Sequence, residues 1–217
     1  VSAAVDRTRA EDPNVVGHVG PDSGARDGGI ASRRTIVGYG FWIFLLSDIV
    51  MFAALFAAYA VLVGATASGP TGRDLFDLTR VAIETAFLLA SSFTCGLAGV
   101  AVLARNRFWF HIAMAATFAF GAGFLTLEII EFASMVRQGA GPSRSAFLSA
   151  FFTLVGCHGL HVTVGLLWLL TMMAQVFAKG FRADIRRRIL CFTLFWHALD
   201  IIWVGVFTIV YLLGAAA

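Results

Sequence analysis

The 217-residue chain is 59% hydrophobic, 13% aromatic and only 13% charged, with a formal net charge of +3. A water-soluble domain and a disordered chain are both excluded by that balance, which is the composition of a polytopic membrane protein. So small a positive charge is read as membrane topology and gives no ground for nucleic-acid binding.

Residues 1 to about 36 are rich in Gly, Asp, Arg and Ala, contain Pro13, Pro21 and His18, and follow neither a helical nor a strand period. They are expected to form a disordered cytoplasmic tail. Five stretches follow, roughly 38–63, 81–103, 109–133, 146–177 and 189–214, each reaching the length that crosses a hydrocarbon core of about 30 Å. Their apolar runs are continuous, where barrel strands would be short and alternating. The expected fold is therefore all-α, a bundle of five transmembrane helices spanning 37–217. The first stretch is longer, and starts later, than the apolar region of a signal peptide, so it is expected to act as its own insertion signal.

The sixteen Lys and Arg residues flank these stretches unevenly. Twelve lie in the N-terminal segment (Arg7, Arg9, Arg26, Arg33, Arg34), the second loop (Arg105, Arg107) and the fourth (Lys179, Arg182, Arg186, Arg187, Arg188). Four, Arg73, Arg80, Arg137 and Arg144, lie on the opposite side. The positive-inside rule then puts the N-terminus in the cytoplasm and the C-terminus outside. Cys95, Cys157 and Cys191 fall inside the stretches without metal-site spacing, and read as small packing residues. GLAG at 96–99, with the Gly, Ala and Ser residues around it, reads as a close helix-packing face, and Trp42, Trp109, Trp168, Trp196 and Trp203 as packing or interface residues. There is no phosphate-binding loop, nucleophilic triad or internal repeat.

Ionisable residues at membrane depth are costly and mark function by default. Asp48 lies in the first stretch, Glu84 opens the second, Glu128 and Glu131 lie in the third, His158 and His161 in the fourth, and His197 and Asp200 in the fifth, while His111 sits near a stretch end. In each of the last three stretches the two are three residues apart, which puts both on one helix face. Asp48, whose unpaired charge would be expensive in lipid, is expected to face protein or water. The residue pattern leaves three readings open. The pairs satisfy one another across helices, histidine N–H to carboxylate oxygen. They handle protons, with Asp48 and Glu84 as candidate acids. Or they hold a di-metal site, although the Glu-x-x-His motif of such sites is missing.

Several strings then converge. GCHGLHV (156–162) followed by FWHALDIIW (195–203) resembles the paired signatures of subunit III of the haem-copper respiratory oxidases. FWIFLLSDIVMF (41–52) and LEIIEF (127–132) resemble the family's acid-bearing first span and its Glu-x-x-Glu span, and the likeness covers about residues 37–214. GPTGRDLFDLT (69–79), SAFLSAFF (145–152) and the five-span length are most similar to the cytochrome bo-type ubiquinol oxidases within that family. The resemblance implies an accessory subunit of a proton-translocating terminal oxidase in a bacterial inner membrane, with a periplasmic C-terminus. It supports the catalytic subunit I and sustained proton uptake. Haems and copper belong to that large partner, and this chain has no catalytic residue, metal or cofactor of its own apart from bound phospholipid. Glu128, Glu131, His158, His161, His197 and Asp200 become a polar seam of the bundle or the lining of a lipid cleft. Where mitochondrial-type members carry a glutamate, this chain has Asp48, so that residue's role does not transfer directly. Subunit III of a cytochrome c oxidase and a self-contained proton-coupled transporter are the alternatives.

Overall fold

The structure is a computed structural model that describes residues 33–216. The expected tail, with His18, lies outside the described residues except at its end. There the first helix, α1 (Arg33–Leu62), already begins, ahead of the apolar run. Outside the bilayer a helix needs only its own backbone hydrogen bonds, so hydropathy does not mark its start. The chain divides into two compact units, Val1–Phe41 and Trp42–Ala217. The described part of the first is the opening of α1, and the bundle belongs to the second.

After a short α2 (Gly72–Leu75) come α3 (Leu78–Leu103), α4 (Arg107–Arg137), α5 (Ala146–Lys179) and α6 (Ala183–Val206). A π-helical segment, Phe207–Leu212, and the short α7 (Leu213–Ala216) complete the chain. All described regular structure is helical, and five helices are long and apolar enough to cross a membrane. Side-chain caps fix three of the starts. Asp77 Oδ1 accepts from the amides of Thr79 (3.0 Å) and Arg80 (3.4 Å), Asn106 Oδ1 from Trp109 (3.2 Å) and Ser145 Oγ from Leu148 (3.2 Å). Each such cap is worth about 1 kcal/mol. Gly180 ends α5 with φ +69°, and a side chain there would also collide with the Arg107 guanidinium. The positive φ favours glycine there, and the flexible Arg107 side chain can move aside.

The short connections make α3/α4, α4/α5 and α5/α6 neighbours, and α6 returns to α3, closing a ring of four helices. Trp196 of α6 touches the other three. Its Nε1–H donates to Ser91 Oγ of α3 (3.1 Å), and its ring lies against the Cα positions of Gly121 (α4) and Gly165 (α5). Helix α1 adds a stripe of buried side chains, Leu45, Phe52 and Tyr59, seven residues apart, while Ile43, Leu46 and Val50 stay exposed. An apolar exterior is the surface that lipid solvates.

GLAG and the small residues around it pack in part: Ser91, Ser92 and Ala98 are buried, and the two glycines make no close contact. Side chains added at Gly96 or Gly99 would meet nothing within 4 Å. Helix α3 packs through Glu84, Leu88, Ser91, Ser92, Cys95 and Ala98, which the helical period places on one face, with Gly96 and Gly99 beside it. Trp196 and Trp203 are buried, Trp42 and Trp109 exposed, and the three cysteines are free thiols.

Candidate functional site

The membrane-depth polar residues separate into three neighbourhoods. The first joins α3 to α6. Trp203 Nε1–H donates to Thr85 Oγ1 (3.0 Å), and Ser92 Oγ lies 2.7 Å from His197 Nδ1. With the Trp196–Ser91 bond, these contacts run up one helix and down the other, as antiparallel neighbours require. Asp200 interacts with the same Ser92, and its Oδ1 has no protein partner among the described residues. His197 and Asp200 thus share a face, as their spacing predicts, and the group they converge on is a serine hydroxyl.

In the second neighbourhood, His158 is fully buried among the rings of Phe52, Phe124 and Trp203, whose centroids lie 6.4, 5.7 and 5.1 Å away. Neither of its ring nitrogens has a protein partner among the described residues. His161 turns to its own helix, with Nδ1 2.7 Å from the Cys157 carbonyl. A carbonyl only accepts, so Nδ1 carries the proton. Phe52 packs on this ring as well, at 5.3 Å. Asp48 is half-buried on α1 and within electrostatic range of Cys157, which turns it towards α5.

The third neighbourhood gathers the glutamates. Glu84, Glu128 and Glu131 are 0%, 2% and 4% exposed and lie within electrostatic range of one another. Tyr211 Oη donates to Glu131 Oε2 at 3.1 Å. Gly159 seats Glu128, since a Cβ there would lie 2.5 Å from Oε1. Arg80 is the cation facing Glu84 and Glu131, and Asp77 also faces Glu131.

No histidine–carboxylate hydrogen bond forms among the described residues: each histidine takes another environment. Nor does any group of three or more His, Cys, Asp or Glu among them have an arrangement that holds a metal ion. Sequence reasoning missed Ser92, Thr85, Gly159 and Tyr211. The first three are small residues whose role depends on what faces them, and nothing in the sequence sets Tyr211 apart from the other aromatics of its span.

Comparison with known proteins agrees with this anatomy of a packed accessory bundle. The family model described as cytochrome c oxidase subunit III matches residues 29–215. The chain is 48% identical over 215 residues to cytochrome bo(3) ubiquinol oxidase subunit 3 of Pseudomonas aeruginosa, covering 99% of this chain and 100% of that one. It is 43% identical to quinol oxidase subunit 3 of Bacillus subtilis, over 81% of this chain and 86% of the relative. Against cytochrome c oxidase subunit 3 of Bacillus sp. strain PS3 the identity is 42%, over 81% and 84%. The fold, the five spans and these matches over nearly the whole chain place it in one family: the chain belongs to the cytochrome c oxidase subunit III family.

Proposed function

We propose that the chain is the accessory subunit III of a proton-translocating haem-copper terminal oxidase of the cytochrome bo type, which passes electrons from ubiquinol to oxygen. The observation that carries this reading is the 48% identity to the Pseudomonas aeruginosa ubiquinol oxidase subunit over that protein's whole length. Its partners are the catalytic subunit I, the other oxidase subunits and membrane lipids, in the inner membrane of a bacterium. Haems and copper reside in the large partner. The chain's own deep histidines do not fit a haem: His158 is walled in by three rings, His161 is bonded to its own helix and His197 to Ser92. Their role is to stabilise the bundle beside subunit I, with Glu128, Glu131 and Asp200, and Asp48 and Glu84 are the acids that bear on proton uptake. The relative named for cytochrome c keeps a second electron donor in view.

Purification of the tagged chain from native membranes should bring down a haem-containing large subunit, and the complex should oxidise ubiquinol and not reduced cytochrome c. Recovery of the chain alone would overturn the subunit reading, and oxidation of cytochrome c only would overturn the donor. The distribution of basic residues carries the orientation, N-terminus cytoplasmic and C-terminus periplasmic. A reporter fused after Ala217 should accordingly be active outside the membrane and one at residue 184 inside, and the reverse pattern would sink this topology.

A further inference from the structure

We propose that Glu84, Glu128, Glu131 and Tyr211 form a proton-binding site inside the bundle, which holds at least one proton between the carboxyl groups and exchanges it with water at the end of the bundle bearing Arg80 and Arg137. The site belongs to this chain whichever electron donor its oxidase uses.

The argument begins with charge. Three buried carboxyl groups from two helices share one neighbourhood, and the facing cation is Arg80, partly offset by Asp77. Like charges held together repel, and the bundle interior offers little water to screen three of them. Hydrogen bonding leads the same way. Tyr211 supplies a donor to Glu131, yet both oxygens of Glu84 and Oε2 of Glu128 have no protein partner among the described residues. An ionised carboxylate only accepts, whereas a protonated one also donates. One proton therefore removes a charge and supplies a donor that the cluster lacks.

The backbone is shaped around this group. Gly159 clears space for the Glu128 carboxyl group, which a methyl there would displace. The π-helical segment Phe207–Leu212 turns Tyr211 onto Glu131, and the Tyr59 hydroxyl donates to the Val210 carbonyl of that segment at 3.3 Å. Such π insertions are rare and concentrate at functional sites. An exit lies close by. Arg80, one turn before Glu84, lines a pocket of about 290 Å³ with Ile130, Ala133, Ser134 and Arg137. Of the other titratable groups near these helices, His158 stands among aromatic rings with both ring nitrogens unpartnered among the described residues, Asp200 interacts with Ser92, and Asp48 of α1 lies towards Cys157.

Infrared difference spectroscopy on the purified native complex tests the site through the C=O stretch of a protonated carboxyl. Wild-type complex should show a band that titrates with pH and shifts in D2O. Glu84→Gln, Glu128→Gln and Glu131→Gln should each abolish or move that same band, and Asp48→Asn should leave it in place. Tyr211→Phe keeps every carboxyl, so it should move the band's frequency without loss of intensity. It also decides the matter if the Gln variants leave the complex. A band untouched by Tyr211→Phe, or insensitive to two of the three Gln variants, overturns a shared site. A band that neither titrates nor shifts in D2O overturns exchange and leaves a static structural network.

Discussion

Gly165→Ala is expected to destabilise the bundle, against the direction that helix propensity predicts. Replacing glycine by alanine inside a helix ordinarily gains about 1 kcal/mol. Here the added methyl carbon would lie 2.8 Å from Cζ3 and 3.1 Å from Cε3 of Trp196, and 3.2 Å from Cε1 of Phe195. Those atoms belong to flat, fully enclosed rings that cannot swing aside as the end of a lysine would. Trp196 is also pinned from behind, because Gly121 of α4 lies against its Cζ2 and Cη2, and Ser91 of α3 accepts its indole proton. Overpacking of this kind costs about 1–3 kcal/mol, so the net change should be a loss of up to about 2 kcal/mol. Unfolding of the purified chain in mixed micelles, with retention in the complex as a second readout, measures it. Trp196→Phe removes the benzo ring that meets the methyl, so the cost of Gly165→Ala should largely vanish in that background. A Gly165→Ala chain stabilised by the full helix-propensity gain would mean that α5 and α6 do not pack as closely as described.

How much of this was legible in the sequence differs between the fold and the site. The five spans follow from length and hydropathy because a bilayer imposes both, and they reappear as five long helices. Helix ends were less legible. They depend on caps such as Asp77, Asn106 and Ser145 and on turns such as that at Gly180, none of which changes hydropathy. The i, i+3 spacing placed Glu128 beside Glu131, and His197 and Asp200 on one face, since that much is helical geometry alone. Choice of partner is set by which helix stands opposite and at what depth. A shared face therefore did not reveal that His197 meets Ser92, or that Glu84 joins the glutamates of α4. Glycine misled for the same reason. The paired glycines of GLAG face open space, while Gly121 and Gly165 make room for Trp196 and its neighbours and Gly159 for Glu128.

Trp203 is the residue on which packing and candidate site depend together, and its truncation should have the largest effect. It is fully buried, its ring centroid lies 4.6 Å from Phe124, 5.1 Å from His158 and 6.2 Å from Tyr211, and its Nε1–H donates to Thr85 Oγ1. Trp203→Ala removes a wall of the His158 box and a neighbour of the tyrosine that bonds Glu131. Large aromatic truncations in cores cost about 3–5 kcal/mol, because the surroundings collapse only partly into the space left. Trp203→Phe keeps an aromatic ring and gives up mainly the bond to Thr85. Membrane side-chain hydrogen bonds average about 0.6 kcal/mol, so the phenylalanine variant should lie far closer to wild type. Unfolding in mixed micelles should thus rank wild type, Phe and Ala in falling stability with unequal steps, the second much the larger. Retention of the subunit during detergent extraction of the complex should fall in the same order, with the haem spectrum of the remaining complex intact. Equal losses for Phe and Ala would assign the role of Trp203 to its hydrogen bond, and the aromatic enclosure of His158 would then contribute little to holding α3, α4, α5 and α6 together.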